Sequence, residues 1–411
     1  MGPLRFVRDG CREIWRGGAA YWTWVAALSV TIGVGTLAYG RQIRDGLIVS
    51  GMSDQVSWGV YIANFTFLEA VAAASVMLVI PAYIFHRDEL KPMVLLSQGL
   101  AVAAVIAAML FVVVDLGRPE RIWHMLPGWG RLNLQSSLMA WDVVMLNVYL
   151  VITVTIPAYM LYRRYRGHDP SFPVYYPGIL LSIAWSIAIL TVTAFLFSSN
   201  VGRPYWNTAI MGPRFLAAAF TGGTALIILT LTIIGRVTRL AVPARTVSLL
   251  GVILATSIQI HLFLQAAEIF TDFYNQVEHS ISARHLYLGI NGHRTLVPWI
   301  WTATVMALVA GTILTIHPLR RRPLLMGIAC VLAVVGVWID KAIGLIVSGF
   351  VPTPLGEVFD YAPRWAEVFI SLGIWALGML VFTFLAKAAI PIELGTLRHP
   401  GPEAAPSASP P

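Results

Sequence analysis

Ten stretches of more than twenty predominantly apolar residues recur along this 411-residue chain, at 20–40, 57–84, 93–115, 136–162, 174–198, 209–234, 245–270, 296–317, 323–348 and 364–388. A helix rises about 1.5 Å per residue, so each stretch is long enough to cross about 30 Å of hydrocarbon. Within lipid every backbone N–H and C=O must be satisfied inside the segment, which leaves the helix as the conformation for an isolated apolar run. The sequence therefore predicts an all-α, polytopic transmembrane bundle of about ten helices. Composition agrees: 12% charged and 57% hydrophobic residues exclude an ordinary soluble domain, where charged residues approach about a quarter.

Lys and Arg in the connections set the expected orientation. The amino-terminal segment with Arg5, Arg8, Arg12 and Arg16, alternate loops such as those around Arg163–Arg166, Arg236–Arg245 and Arg320–Arg322, and the carboxyl end hold 17 of the 28 basic residues. Both termini are thus expected to be cytoplasmic, with the first helix acting as its own insertion signal. The net charge of +8 reads as a topology signal, and its dispersal speaks against nucleic acid as a partner. The expected organisation is a cytoplasmic segment over 1–19, a transmembrane domain over 20–390 and a disordered tail over 391–411.

Within the span 245–270 and just beyond it, His261, Gln265, Glu268 and Asp272 recur at i, i+4, i+7 and i+11. At about 100° per residue they fall on one stripe of a helix that is otherwise apolar. Ionisable groups at membrane depth cost about 2.5–3.5 kcal/mol each on insertion scales, so such a stripe usually lines a polar site or a proton route. Interhelical packing glue is the competing explanation, but glue normally uses Ser, Thr or Asn rather than two carboxylates and an imidazole.

Other polar residues inside the spans are few. Asn64 and Glu69 lie in the second, Asp142 and Asn147 in the fourth, and Asp340–Lys341 in the ninth. Adjacent helical residues do not face each other, so Asp340 and Lys341 are expected to have partners on different helices. Lys341 needs an anion, for which Asp142, Glu268 and Asp340 are candidates. A Gly-Arg-Pro breaker appears twice, after the third span (Arg118) and after the fifth (Arg203), both on the face opposite the termini. Either arginine is a boundary anchor or a member of a paired site. Loops on that face, over 41–56, 116–135, 199–208, 271–295 and 349–363, are longer and richer in Trp, Gly and Pro than the basic loops opposite. Trp123 and Trp129 there are candidate docking residues.

Several chemistries lack their ligands. Bis-His haem needs His pairs on facing helices, and only His261 lies deep in a span. Cys11 and Cys330 are too few for an iron–sulfur cluster or a zinc site, and no nucleotide fingerprint occurs. No resident haem, iron–sulfur cluster or metal is expected.

The stretches Trp58–Phe65, Val114–His124, Leu138–Asn147, Gly202–Asn207, Trp338–Lys341 and Pro354–Glu357 together resemble the NrfD/PsrC family, most closely its ten-helix DsrP and HybB type. The resemblance covers nearly the whole chain. It implies a multi-pass subunit of the bacterial inner membrane that has no cofactor of its own and reacts with a quinone, menaquinone or ubiquinone, as an exchangeable substrate. It also implies a periplasmic ferredoxin-like iron–sulfur partner, with a cytochrome and further redox subunits beside it, in respiration or sulfur metabolism.

On that reading His261, Glu268 and Asp272 would move protons at the quinone oxygens. Gln265, Asn64, Glu69, Asp142, Asp340, Lys341, Arg118 and Arg203 would be candidates for holding the headgroup. The residues alone leave two other classes open, a proton-coupled secondary transporter and a membrane anchor without quinone chemistry. Proton translocation coupled to the redox step is an open extension of the first.

Overall fold

The computed structural model describes residues 2–125, 128–275, 279–353 and 355–399. Pro354 of the Pro354–Glu357 motif and residues 400–411 of the expected tail lie outside them. Helix α1 (Gly2–Ile14) precedes the first span. The spans are α2 (Ala19–Asp45), α3 (Val60–Ile84), α4 (Asp88–Asp115), α5 (Leu138–Tyr165), α6 (Phe172–Ser198), α7 (Met211–Val237) and α8 (Ala244–Asn275). A short helix, α9 (His279–Tyr287), leads to α10 (Val297–Thr315), α11 (Pro323–Phe350) and α12 (Trp365–Glu393). Among the described residues ten helices are long and apolar enough to cross a membrane, and no strand occurs. The even number puts α1 and the end of α12 on one face, here called the terminal face. The long connections 46–59, 116–137, 199–210 and 351–364, together with α9, form the loop-rich face.

Burial differs sharply between spans, and the difference locates the core. The apolar window of α3 is 83% buried, whereas that of α2 is 17% buried. Helix α3 is therefore the axis of the bundle, and α2 lies at its lipid-facing edge against α12. Small residues permit the close crossings. A Cβ on Gly35 of α2 would come within 2.8 Å of the Gly373 Cα on α12, and one on Gly223 of α7 within 2.2 Å of the Ala74 Cβ on α3.

Two helices depart from α geometry. The backbone of α3 widens into π turns over Ile80–Ile84, where Pro81 supplies no N–H, and α11 does so over Asp340–Val347. The second widening begins at the Asp340–Lys341 pair, and π turns of this kind recur at functional positions.

The amino-terminal segment is an ordered amphipathic helix. Its Phe6 ring stands 5.5 Å from that of Tyr165, whose hydroxyl donates to Asp9 at 2.7 Å. At the other end, order extends past the expected boundary at 391. Pro391 lies inside the last turn of α12, Glu393 pairs with Arg164, and the His399 N–H donates to the Tyr165 carbonyl at 2.8 Å. A proline near a helix end forfeits one backbone bond, and here buried Ile390 and Ile392 keep the turn packed.

Candidate functional site

Helix α8 buries the four polar stripe residues together. His261, Gln265, Glu268 and Asp272 are 3%, 4%, 8% and 7% exposed, while Phe263 and Phe270 on its other side are 70% and 65% exposed. The apolar face meets lipid and the polar face turns into the bundle, as helical spacing requires.

Asp340 at the start of the π turns of α11 is the hub. Gln265 Nε2 donates to Asp340 Oδ1 at 3.2 Å, His261 Nε2 lies 3.9 Å from Oδ2, and Arg214 Nη2 of α7 lies 3.7 Å from Oδ2. The other guanidinium nitrogen of Arg214 pairs with Glu268. One buried, forked cation thus bridges two buried carboxylates, an arrangement suited to the planar guanidinium. Gln265 Nε2 is also 3.5 Å from the Tyr287 hydroxyl of α9, which closes the set from the loop-rich side. Burial, with the Asp340 charge adding to it, pushes the Tyr287 phenol above its ordinary range, so it remains a neutral hydroxyl. Burial likewise raises Tyr205, whose neighbours by charge include Arg214, Asp340 and Asp272.

A second set lies between α3, α5 and α6. Thr193 Oγ1 is 2.5 Å from Glu69 Oε1 and 2.8 Å from Asp142 Oδ1, and all three residues are buried. A hydroxyl has one proton to donate, so both contacts are hydrogen bonds only when at least one carboxyl carries a proton and donates back. Glu69 Oε2 has no hydrogen-bond partner.

Lys341 stands between the two sets. Its Nζ lies 3.7 Å from the centre of the Phe215 ring and has no hydrogen-bond partner, with Glu69 and Asp340 as the carboxylates that act on it. Asp340 and Lys341 do look to different neighbours, as adjacency on a helix requires. Of the three anions considered for Lys341, Glu268 is taken by Arg214.

The remaining sequence candidates fall elsewhere. Asn64 accepts from the indoles of Trp338 and Trp375, each at 2.9 Å, and donates to the Val60 carbonyl at 2.8 Å. It ties α3, α11 and α12 together and fits the packing-glue reading. Arg203 donates to the Phe350 carbonyl at 3.1 Å and lies over the Phe350 ring, stitching its loop to the end of α11. Arg118 is exposed and pairs across solvent with Glu120 at 3.6 Å. The two Gly-Arg-Pro arginines therefore have unlike surroundings. Trp123 and Trp129 are 47% and 78% exposed on the loop-rich face.

Sequence reasoning missed Arg214, Thr193 and Tyr287. Arg214 lies inside the span 209–234, and that position was the available signal. Thr193 is one of many apolar-span threonines, and nothing in its local sequence distinguishes it. The described residues contain no group of three or more His, Cys, Asp or Glu arranged to hold a metal ion.

Known proteins similar to this chain are membrane subunits of reductases. The chain is 25% identical over 402 residues to a protein of Halobacterium salinarum provisionally named as a membrane subunit of dimethyl sulfoxide reductase, covering 88% of each. It is 24% identical over 411 residues to the menaquinone reductase integral membrane subunit of Nitratidesulfovibrio vulgaris, covering 93% of this chain and 94% of that protein. It is 21% identical over 396 residues to a selenate reductase subunit of Mesobacillus selenatarsenatis, covering 86% of this chain and 90% of that protein. Residues 48–351 match the family described as polysulphide reductase, NrfD, and the chain belongs to that family.

Proposed function

We propose that this chain is the quinone-reactive membrane subunit of a redox complex, exchanging electrons between the membrane quinone pool and an iron–sulfur protein docked on the loop-rich face. The carrying observation is the buried set around Asp340, where Arg214, His261, Gln265, Glu268 and Tyr287 gather imidazole, amide, phenol and carboxylate groups in the loop-rich half of the bundle. Oxidation of a quinol to a quinone releases two electrons and two protons from two hydroxyl oxygens. The headgroup therefore needs hydrogen-bond partners and a proton acceptor at the oxygen. Gln265 and Tyr287 are suited to hold the carbonyl or hydroxyl, His261 to accept the proton, and Glu268 with Asp272 to pass it towards the loop-rich face. In this reading the electrons pass to or from the iron–sulfur partner. The names of the relatives, among them a menaquinone reductase subunit, favour a quinone as the substrate.

In this reading the terminal face is cytoplasmic, the membrane is the bacterial inner membrane, and the exposed Trp123 and Trp129 belong to the docking surface for a ferredoxin-like partner. The Glu69–Thr193–Asp142 set holds a second proton store, joined to the first by Lys341, from which redox turnover would draw if it translocates protons.

The test is made on the purified complex: fluorescence quenching by a quinol analogue, and cluster-linked quinol turnover, in wild type and in Glu268→Gln and His261→Ala. Loss of binding or at least a hundredfold loss of turnover in assembled variants is the expected result, within the range for removing a positioned acid or base. Undiminished binding and turnover would move the quinone elsewhere. Absence of binding in wild type would favour a membrane anchor, and solute-gradient activity of the isolated chain would favour a transporter.

A further inference from the structure

The opposite end of the bundle carries a feature that quinone chemistry at the Asp340 set does not use. A cleft of ≈ 800 Å³ opens between the terminal-face ends of α7, α8 and α11. Its interior is apolar, with Ile328 and Val331 on one wall, and its mouth is ringed by Arg236, His317, Arg320 and Arg321. These bases have nothing to neutralise them locally. No Asp or Glu occurs between residues 215 and 267 or between 297 and 339, the segments that build this end. Among the described residues, Arg236, Arg320 and Arg321 make no ion pair. Arg320 donates to the Leu314 carbonyl at 2.7 Å, which fixes it at the rim, while Arg236 and Arg321 are exposed.

We propose that this cleft is a binding site for an anionic phospholipid, with the phosphate held by Arg236 and Arg321 and an acyl chain lying along Ile328 and Val331. A topology signal needs basic residues on one face but does not need them around an apolar cleft. The pairing of an uncompensated basic rim with an apolar slot at headgroup depth matches the two halves of a phospholipid. Basic pockets between transmembrane helices recognise acidic headgroups for the same reason. Gly327 offers an independent handle, because a Cβ there would meet nothing within 4 Å. A larger side chain at 327 would grow into open space and occlude the slot without touching an arginine or opposing the helix.

The experiment uses the full chain in detergent, with thermal unfolding followed as phosphatidylglycerol or phosphatidylcholine is titrated in. Wild type is expected to be stabilised by phosphatidylglycerol at much lower concentration than by phosphatidylcholine. Arg236→Gln/Arg321→Gln should weaken the phosphatidylglycerol response by about tenfold or more, from about one headgroup contact's worth of binding lost per arginine. Gly327→Leu, with both arginines intact, should weaken the response to a similar degree. An equal response to the two lipids would overturn the proposal, as would wild-type affinity in both variants. Displacement of the lipid effect by an uncharged quinone analogue would assign the cleft to a neutral amphiphile and overturn it as well.

Discussion

The two buried polar sets differ in how their charge is balanced. In the Asp340 set a forked cation, Arg214, lies between two carboxylates, with the Gln265 amide donating to Asp340 and the His261 imidazole and Tyr287 phenol close by. In the Glu69–Thr193–Asp142 set two carboxyls share one neutral hydroxyl, and the nearest cation, Lys341, makes no hydrogen bond. The first set has a fixed cation between its carboxylates. The second needs a proton shared among its three groups and is satisfied in only some protonation states. A site that must orient a headgroup suits the first arrangement, and a site that must store or release a proton suits the second.

Removing the fixed cation should break this contrast with the largest effect. Arg214→Gln leaves Glu268 and Asp340 buried without their partner, and losing one member of a buried pair costs about 3–5 kcal/mol. The expected outcome is a markedly lower unfolding temperature of the detergent-purified protein and loss of quinol turnover. Arg214→Gln/Glu268→Gln should regain part of the stability without regaining turnover, because the second change removes one stranded charge. If Arg214→Gln unfolds at the wild-type temperature, the guanidinium is not the element that balances this set.

The second set should respond to hydroxyl loss more than to carboxyl neutralisation. Thr193→Val strands two carboxyls at one stroke and should cost about 1–3 kcal/mol, the scale for an unsatisfied buried group. Glu69→Gln or Asp142→Asn retains a donor and an acceptor near Thr193 and should cost less than Thr193→Val. Chemical denaturation or thermal unfolding of the three variants ranks them. The reverse order would mean that an ionised carboxylate balanced by Lys341, and not a shared proton, holds the set.

The first set was largely legible in the sequence and the second was not. The stripe on α8 repeats at a fixed helical spacing, and its four members are buried on one face. Its cation was harder to assign, since Arg214 is only four residues into α7, where a basic residue is also a plausible boundary anchor. Glu69 and Asp142 stood out as intramembrane acids, yet their meeting point is a threonine with no charge and no spacing signal. That contact depends on how α3, α5 and α6 cross, and helix packing is a tertiary property that periodicity does not encode. Asn64 shows the converse, a polar residue visible in the sequence whose hydrogen bonds go to two packing indoles.

The smallest effect concerns what covers the first set and leaves the second unaffected. Helix α9 carries Tyr287 into the Asp340 set and also His285, which is 0% exposed at its side chain and lies 3.8 Å from Asp360. His293 holds the other oxygen of Asp360 at 2.8 Å, so the three residues tie α9 to the 351–364 connection. Burial holds His285 below its ordinary value of 6.5, with Asp360 opposing the shift. When α9 undocks, the imidazole regains its ordinary affinity for a proton. As the pH falls below about 6.5 the undocked form therefore takes up a proton before the docked form does. Docking is at full strength above that pH and weakens as the pH falls towards the lowered value, by at most about 1.4 kcal/mol per pH unit for one proton. Hydrogen exchange across 279–287 should accelerate at pH 5.5 relative to 7.5, after correction for the intrinsic rate, while exchange in α6 around Thr193 should not. His285→Phe should abolish that acceleration. Persistence of the pH effect in the variant would show that His285 is not its origin.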